Sequence, residues 1–146
     1  MNIRIMTLND YEQVYSLWIN TPNMGLNNID DTIDGIEKYL NKNPDTCFVA
    51  LKDSIIIGAI LSGHDGRRGF IYHMAVKSDE HNHGVGTALL NASVSALEKE
   101  GITKVSLLTK VHNENGNAFF EKHGFIKRED LIYRNKDIID VIRLDT

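Results

Sequence analysis

The sequence is short of the features that mark secreted, membrane-spanning and nucleic-acid-binding proteins. It has one cysteine, so no internal disulfide can form, and this predicts a chain that works in a reducing compartment. The 16 Lys and Arg residues are outnumbered by 20 Asp and Glu residues, and the formal charge of −4 argues against a nucleic-acid surface. No run approaches the about 18 apolar residues that a membrane span needs. We therefore expect a cytoplasmic protein without nucleic-acid or membrane partners.

What the sequence does have is enough apolar material for one core. Its hydrophobic content is 42% over 146 residues, which predicts a single domain over residues 1–146. Alternating apolar residues predict strands, and apolar residues at helical spacing predict helices between them. The strand-like runs are at 2–8, 47–51, 55–61, 68–76, 105–109, 125–133 and 137–144. Asp30 or Asp31 is expected to cap the second helix, and the last two runs are expected to form a closing hairpin.

A glycine-rich turn lies between a strand-like run, 70–76, and a helical run, 87–99. Its residues are His81, Asn82, His83, Gly84, Val85, Gly86 and Thr87. At such a junction several backbone N–H groups point at one spot, and the helix dipole favours negative charge there. The pattern predicts a cradle for a pyrophosphate. A nicotinamide dinucleotide is not predicted, because Gly86 is followed three residues later by Leu89 instead of glycine, and the strand comes late in the chain.

A second motif begins at Asn113, after the next predicted strand, and ends in a Gly-Phe pair. The two motifs resemble those of the GNAT family of N-acetyltransferases, whose nucleotide motif reads Arg or Gln, then x-x-Gly-x-Gly or Ala, after the fourth strand. The matching positions are His81, Gly84, Gly86, Asn113, Gly116, Phe120, Gly124 and Phe125. The order of predicted strands and helices also agrees over nearly the whole chain.

The resemblance implies an α/β (α+β) single domain with a GNAT-like fold. We expect a mixed central sheet of six to seven strands, mostly antiparallel, with about four helices on both faces. The resemblance also implies acetyl-CoA as the acetyl donor, and no metal. In the family, main-chain groups of the fourth strand hold the donor where two central strands splay apart. The positions expected to bind the donor are Met74, Ala75, Val76, the seven residues of the turn, Asn113 and Phe120.

Acetyl transfer needs a neutral amine, and this requirement points to a base. An alkylammonium group has a pKa near 10.4, so forming the neutral amine at pH 7.4 costs roughly 4 kcal/mol. The candidate catalytic residues are His73, as a base, and Tyr72, which could hold a water molecule. Strand alternation is expected to send these two side chains to opposite faces. The chain departs from many members of the family at Phe120, where they have a tyrosine acid.

The acceptor is expected to contact segments that the donor does not use. The candidate substrate-binding residues are Asn27, Asp65, Arg67 and Tyr133. Asp65 could pair with an amine, whereas Arg67 could equally bind a carboxylate. The first expectation is a small amine or amino acid, and the alternative is a protein N-terminus or lysine. Two rivals stay open, a regulatory module that binds acetyl-CoA without turnover and a structural domain without coenzyme, as does the choice between a monomer and a homodimer.

Overall fold

The computed structural model describes residues 1–144, and its centre is a five-stranded sheet. The strands are β1 (Asn2–Ile5), β2 (Phe48–Lys52), β3 (Ile55–His64), β4 (Gly69–Val76) and β5 (Val105–Leu107). They lie side by side in chain order. Each neighbouring pair from β1 through β4 is antiparallel, whereas β5 runs parallel to β4. The sheet of the described residues is therefore mixed, as expected, but the predicted count of six to seven strands was too high.

Helices cover both faces of the sheet, as the sequence predicted. They are α1 (Tyr11–Ile19), α2 (Ile33–Lys42), α3 (Val85–Lys99) and α4 (Glu114–Lys122). One face packs against α1 and α2, around the buried side chains of Trp18 and Ile36. The other face packs against α3 through Leu89, and against α4 through Phe119 and Phe120. The first three helices each bury apolar residues on one side, whereas Phe119 and Phe120 of α4 are partly buried.

The helix starts differ slightly from those expected. Thr32 caps α2 in place of Asp30 or Asp31, because its hydroxyl accepts a hydrogen bond from the N–H of Gly35 at 3.1 Å. α3 begins at Val85, two residues before the predicted start. Both differences are local and leave the order of the elements unchanged.

The predicted closing hairpin near the C-terminus is absent. Residues 126–140 form no strand, and each of them is exposed. Beyond them the chain returns to the body, where the N–H of Asn28 donates to the carbonyl of Ile142 at 3.1 Å. A strand-like sequence is not sufficient for a strand, because a strand needs a neighbour to complete its backbone hydrogen bonds. Within residues 1–144 the two predicted strands do not pair with each other, and the second makes only an isolated antiparallel bridge, from Arg143 to Asn27.

A β-bulge in β4 determines where the sheet opens. Two successive residues of β3 pair with Ile71 and His73, which leaves Tyr72 between them as an extra residue. Bulges bend a strand and increase its twist. β5 pairs with β4 only over residues 69–71, so the pairing ends immediately before the bulge. On that side the edge of β4 over residues 72–76 has no strand partner in the described chain.

Candidate active site

The bulge places Tyr72 and His73 on the same face of the sheet, so the expectation of opposite faces was wrong. The ring of Tyr72 lies 5.7 Å from that of Tyr39 in α2, and the ring of His73 lies 4.9 Å from that of Trp18 in α1. Both helices pack on this one face. An extra residue interrupts the alternation of side chains, because two residues then oppose one on the partner strand. The two side chains still differ in exposure, which is 58% for Tyr72 and 9% for His73.

A cleft opens where β5 leaves β4. Its lining comes from the loop before α2, from β4, from the residues after β5 and from α4, and includes Met24, Tyr72, Met74, Thr109, Lys110, Asn113 and Phe120. The structure thus brings one predicted catalytic residue and three predicted donor-binding residues to one place. His73 lies instead in the core beside Trp18.

The main chain of β4 offers hydrogen-bonding groups on the cleft side. The N–H of Lys77 donates to a carbonyl of β3 at 2.8 Å. Because backbone groups alternate in direction along a strand, the main chain of Ala75 also faces β3, while that of Met74 and Val76 faces away from it. The carbonyl of Val76 accepts a hydrogen bond from Nε2 of His81 at 2.8 Å. An extended ligand with amide groups can complete the hydrogen bonding of this edge as an added strand does.

The turn after β4 has the backbone geometry of an anion cradle. Asn82 and Gly84 have positive φ angles of 66° and 81°. The hydrogen-bond ladder of α3 starts with the N–H of Ala88, which donates to the carbonyl of Gly84 at 3.0 Å. The N–H groups of residues 85–87 therefore precede the ladder and point out of the helix N-terminus. Together with the helix dipole they favour a phosphate at this position.

The two glycines of the turn are needed for different reasons. At Gly84 the left-handed backbone disfavours a side chain, although a Cβ would meet nothing within 4 Å. At Gly86 a Cβ would lie 3.3 Å from Cε of Met74 and from ring atoms of Phe119. Gly84 therefore allows the turn to present its amides, and Gly86 allows α3 to pack closely against β4 and α4.

Side chains around the turn hold its shape. Nδ1 of His83 lies 3.3 Å from the carboxylate of Glu80, which also accepts a hydrogen bond from Lys52 at 3.0 Å. Two hydrogen bonds hold the pKa of the Glu80 carboxylate below its usual value, and the one from Lys52 has a larger effect than the one from His83. The hydroxyl of Thr87 donates to Nε2 of His123 at 3.0 Å and so links α3 to α4. The groups that this turn directs outward are therefore chiefly main-chain amides.

The second motif forms the α4 side of the cleft. Asn113 caps α4, since its Oδ1 accepts a hydrogen bond from the N–H of Gly116 at 3.1 Å. A Cβ at residue 116 would lie 2.5 Å from Nδ2 of Asn113, which explains the glycine. Phe120 packs edge-on against Phe119 and Phe125. The motif thus supplies a helix start and an aromatic wall.

His73 belongs to a buried pair that the sequence analysis missed. Its Nε2 lies 2.7 Å from Oδ1 of Asp31, and both side chains are buried. Because a carboxylate only accepts, Nε2 of His73 is the donor. Asp31 also accepts a hydrogen bond from the N–H of Asn27 at 2.8 Å, and its own carbonyl accepts one from the hydroxyl of Tyr11 at 2.7 Å. The pair fastens the loop before α2 to the middle of β4, and no local sequence signal marks it because its partners are 42 residues apart.

The residues predicted to bind the acceptor lie outside the cleft. The side-chain oxygen of Asn27 accepts hydrogen bonds from the N–H groups two and three residues later, as in a turn. Asp65 makes the same kind of turn at the start of the β3–β4 loop, which also contains Arg67, and these backbone hydrogen bonds hold the pKa of Asp65 below its usual value. Tyr133 lies in the exposed segment 126–140. In the loop before α2, Asn23 and Met24 are the residues that line the cleft.

The side chain of Cys47 is buried. Burial raises the pKa of its thiol to about 12. Over residues 1–144, no three His, Cys, Asp or Glu side chains lie close enough together to hold a metal ion. In the same part of the chain, no helix has the length and apolar character to cross a membrane.

Known proteins are similar to this chain in sequence and in fold. Residues 11–125 match the model of the acetyltransferase (GNAT) family. A protein named acetyltransferase from Pectobacterium atrosepticum is 33% identical over 140 residues, which are 96% of this chain and 97% of that protein. The NatC complex bound to Gag peptide and CoA has a TM-score of 0.73 at 20% identity, over 88% of this chain and 86% of that one. An aminoglycoside acetyltransferase from an uncultured soil metagenomic sample, in complex with sisomicin, has a TM-score of 0.72 at 19% identity, over 94% and 96% of the two chains.

The pair of His73 and Asp31 predicts a measurable contribution to stability. The substitution Asp31→Ala is expected to lower the free energy of unfolding by about 3 kcal/mol, because it leaves the N–H of Asn27 and Nε2 of His73 buried without an acceptor. The control Asp30→Ala removes an exposed carboxylate that contacts Asn27 at 2.9 Å and should cost about 1 kcal/mol or less. Urea unfolding followed by circular dichroism measures both. Equal losses in the two variants would contradict the assignment.

Proposed function

The chain belongs to the GNAT acetyltransferase family, and from this premise we propose that it moves the acetyl group of acetyl-CoA directly to a primary amine of a small metabolite or amino acid. Acetyl-CoA is the donor in this family, and the relative from Pectobacterium atrosepticum is itself named an acetyltransferase. The observation that carries the proposal is the gap beside β4. It joins outward main-chain groups of β4 to the N-terminus of α3.

The arrangement fits a donor with a phosphate end and an arm of amides. The N–H groups of residues 84–87 would hold the pyrophosphate, since the left-handed turn at Gly84 leaves open space beside them. The outward main-chain groups of Met74 and Val76 would hydrogen-bond the amides of the arm. Bound there, acetyl-CoA supplies an activated thioester carbonyl. The cleft between Tyr72 and Phe120 would take its acetyl end.

Removal of a proton from the amine is the larger chemical problem, and we assign this role to Tyr72. This side chain lines the cleft, and its hydroxyl can hold the amine or a water molecule that accepts the proton. His73 is less suited, since its Nε2 is bound to Asp31 and its Nδ1 is buried without a partner among the described residues. We therefore give His73 the role of fixing β4 next to the bulge.

The lack of a tyrosine hydroxyl at Phe120 does not prevent the thiol of CoA from leaving. A thiol similar to that of cysteine has a pKa near 8.5, so a free thiolate at pH 7.4 is only about 1.5 kcal/mol uphill. This is well below the roughly 4 kcal/mol needed to form the neutral amine. Lys110 also lines the cleft, and its positive charge favours a developing thiolate. A proton donor at position 120 is therefore not required.

A small acceptor is favoured by the opening of the cleft. Nε2 of His112 lies 3.0 Å from Oδ1 of Asn23, and this contact joins the loop before α4 to the loop before α2. Asn23 itself lines the cleft, whose volume is only about 70 Å³. Among the solved neighbours, one is in complex with sisomicin and another with a peptide, so a peptide acceptor is the second candidate. The net charge of −4 suits a cationic amine of either kind.

An acceptor screen tests the proposed reaction. Release of CoA thiol from acetyl-CoA is followed with diamines, amino acids, aminoglycosides and peptides that have a free N-terminus. We expect release with at least one small primary amine and at least tenfold slower release with peptides. Release with peptides alone would favour the second candidate. Tight binding of acetyl-CoA without release for any acceptor would overturn the enzyme assignment in favour of a regulatory module.

The cradle can be tested with two glycines that share one conformation. Gly84 and Gly101 both have a φ of +81°, and at both a Cβ would meet nothing within 4 Å. Gly84→Asp places a carboxylate beside the expected pyrophosphate, where two charges about 4 Å apart repel by about 4 kcal/mol at an effective dielectric of 20. We expect calorimetry to show at least a 100-fold weaker affinity for acetyl-CoA. The matched control Gly101→Asp, at the other end of α3, should stay within twofold of the unchanged protein, and an equal loss in both would contradict the cradle.

The role of the Tyr72 hydroxyl predicts a split between turnover and donor binding. Tyr72→Phe should lower kcat/KM for the amine by about tenfold or more, because it removes the group that accepts or relays the proton. Its affinity for acetyl-CoA should not change. Tyr39→Phe is the matched control, since that ring packs against Tyr72 and its own hydroxyl is buried without a partner among residues 1–144. Unchanged steady-state kinetics for Tyr72→Phe would remove this residue from the mechanism.

A further inference from the structure

The segment that leads into the cradle carries negative charge, which is unexpected beside a site for phosphate. Asp79 and Glu80 lie in the short helical turn Ser78–Glu80, which follows β4. Oε2 of Glu80 lies 3.3 Å from Nδ1 of His83, the residue that precedes Gly84. The carboxylate of Glu80 therefore lies next to the first amide of the cradle, where it would repel a bound phosphate.

A lysine from another part of the sheet pairs with this carboxylate. Lys52 is the last residue of β2, and its Nζ lies 3.0 Å from Oε1 of Glu80. Each of the two carboxylate oxygens therefore has one partner, Lys52 or His83. The side chain of Glu80 is only 13% exposed, so the carboxylate is largely covered and is held by a residue 28 positions earlier in the chain.

Lys52 faces more negative charge than that of Glu80 alone. The hydrogen bond to Glu80 has the largest effect in raising the pKa of the Lys52 ammonium group, and the charges of Asp53 and Asp79 also raise it. Asp53 is the next residue, in the tight turn between β2 and β3, and has a positive φ of 52°. One ammonium group thus balances carboxylates from two different loops.

We propose that Lys52 is a positioning residue for the donor, and that it acts by neutralising and holding the carboxylate of Glu80 beside the cradle. This inference rests on the proposed function, in which the amides of residues 84–87 bind a pyrophosphate. Without Lys52, the charge of Glu80 would repel the pyrophosphate. The same carboxylate would also compete for the free amides at the helix N-terminus, since these favour any nearby anion.

A contribution to folding alone explains this ion pair less well. Exposed ion pairs add little to the free energy of unfolding, because water and salt screen them and long side chains lose freedom in forming them. The start of the turn is also fixed by the main chain, since the N–H of Lys77 donates to the carbonyl of Ile57 at 2.8 Å. The effect of Lys52 is therefore expected in donor binding.

The position of the pair separates its effect from the chemical step. The cleft proposed for the acetyl end is lined by Tyr72 and Phe120, and its lining includes neither Lys52 nor Glu80. Lys52 would therefore act at the phosphate end of the donor. Its loss should raise KM for acetyl-CoA and leave kcat at saturating acetyl-CoA unchanged.

Calorimetry with acetyl-CoA tests the proposal on the full chain. Lys52→Gln should weaken the affinity by about fivefold at 0.1 M salt and by less than about twofold at 1 M, because the Debye length falls from about 10 Å to about 3 Å. The matched control Lys104→Gln makes the same change in net charge. The carbonyl of Lys104 accepts from the N–H of Gly69, at the opposite end of β4 from the cradle and about 23 Å away. The control should not weaken the affinity, and an equal loss in both variants would overturn the proposal.

A second substitution tests the role of the carboxylate. Glu80→Gln removes both the repulsion and the competing anion, so the double variant Lys52→Gln with Glu80→Gln should recover most of the affinity that Lys52→Gln loses. Thermal unfolding checks that each variant is folded. A folded double variant that binds as weakly as Lys52→Gln, or a lower kcat in Lys52→Gln at saturating acetyl-CoA, would overturn the proposal.

The same measurements separate this inference from the proposed function. If the unchanged protein binds acetyl-CoA and Lys52→Gln binds it equally well, the role of Lys52 is wrong and the proposed function stands. If the unchanged protein does not bind acetyl-CoA, both are wrong.

Discussion

The extra residue at position 72 of β4 is the constraint on which the cleft depends. With regular pairing, β5 would continue beside β4, and the main-chain groups of Met74 would be hydrogen-bonded to β5. The bulge bends β4 after residue 71, where the pairing with β5 ends, and so leaves the next residues with an open edge. Gly86 then allows the N-terminus of α3 to pack against Met74. A single local insertion therefore joins an open strand edge to a helix N-terminus.

Opening a sheet removes backbone hydrogen bonds, and contacts around the opening compensate for them. The carbonyl of Val76 is satisfied by His81, and His73, the residue after the bulge, is tied to Asp31. These contacts use side chains that the sequence analysis had assigned to phosphate binding and to catalysis. In the proposed mechanism both histidines act through the shape of the main chain. A strand edge and a turn that are already fixed would hold the donor without rearrangement on binding.

The features that were predicted correctly depend on residues close together in the chain. The glycine-rich turn between β4 and α3 is an example, because it is read from a few consecutive residues and one backbone requirement. The shared face of Tyr72 and His73 could not be predicted, since a bulge depends on the register between two strands. The contact of His73 with Asp31 joins distant residues and leaves no periodic pattern. The predicted hairpin near the C-terminus did not form for a related reason, because its pattern specifies a strand but not a neighbour for that strand.

In the proposed reaction the two substrates are recognised by different parts of the molecule. The proposed donor site consists mainly of backbone amides, whose positions depend on glycine geometry, on strand register and on the contacts of His81 and His83. The proposed acceptor site consists instead of side chains that line the cleft, such as those of Tyr72 and Lys110. Acceptor specificity can therefore change with these side chains while the backbone of the donor site stays the same.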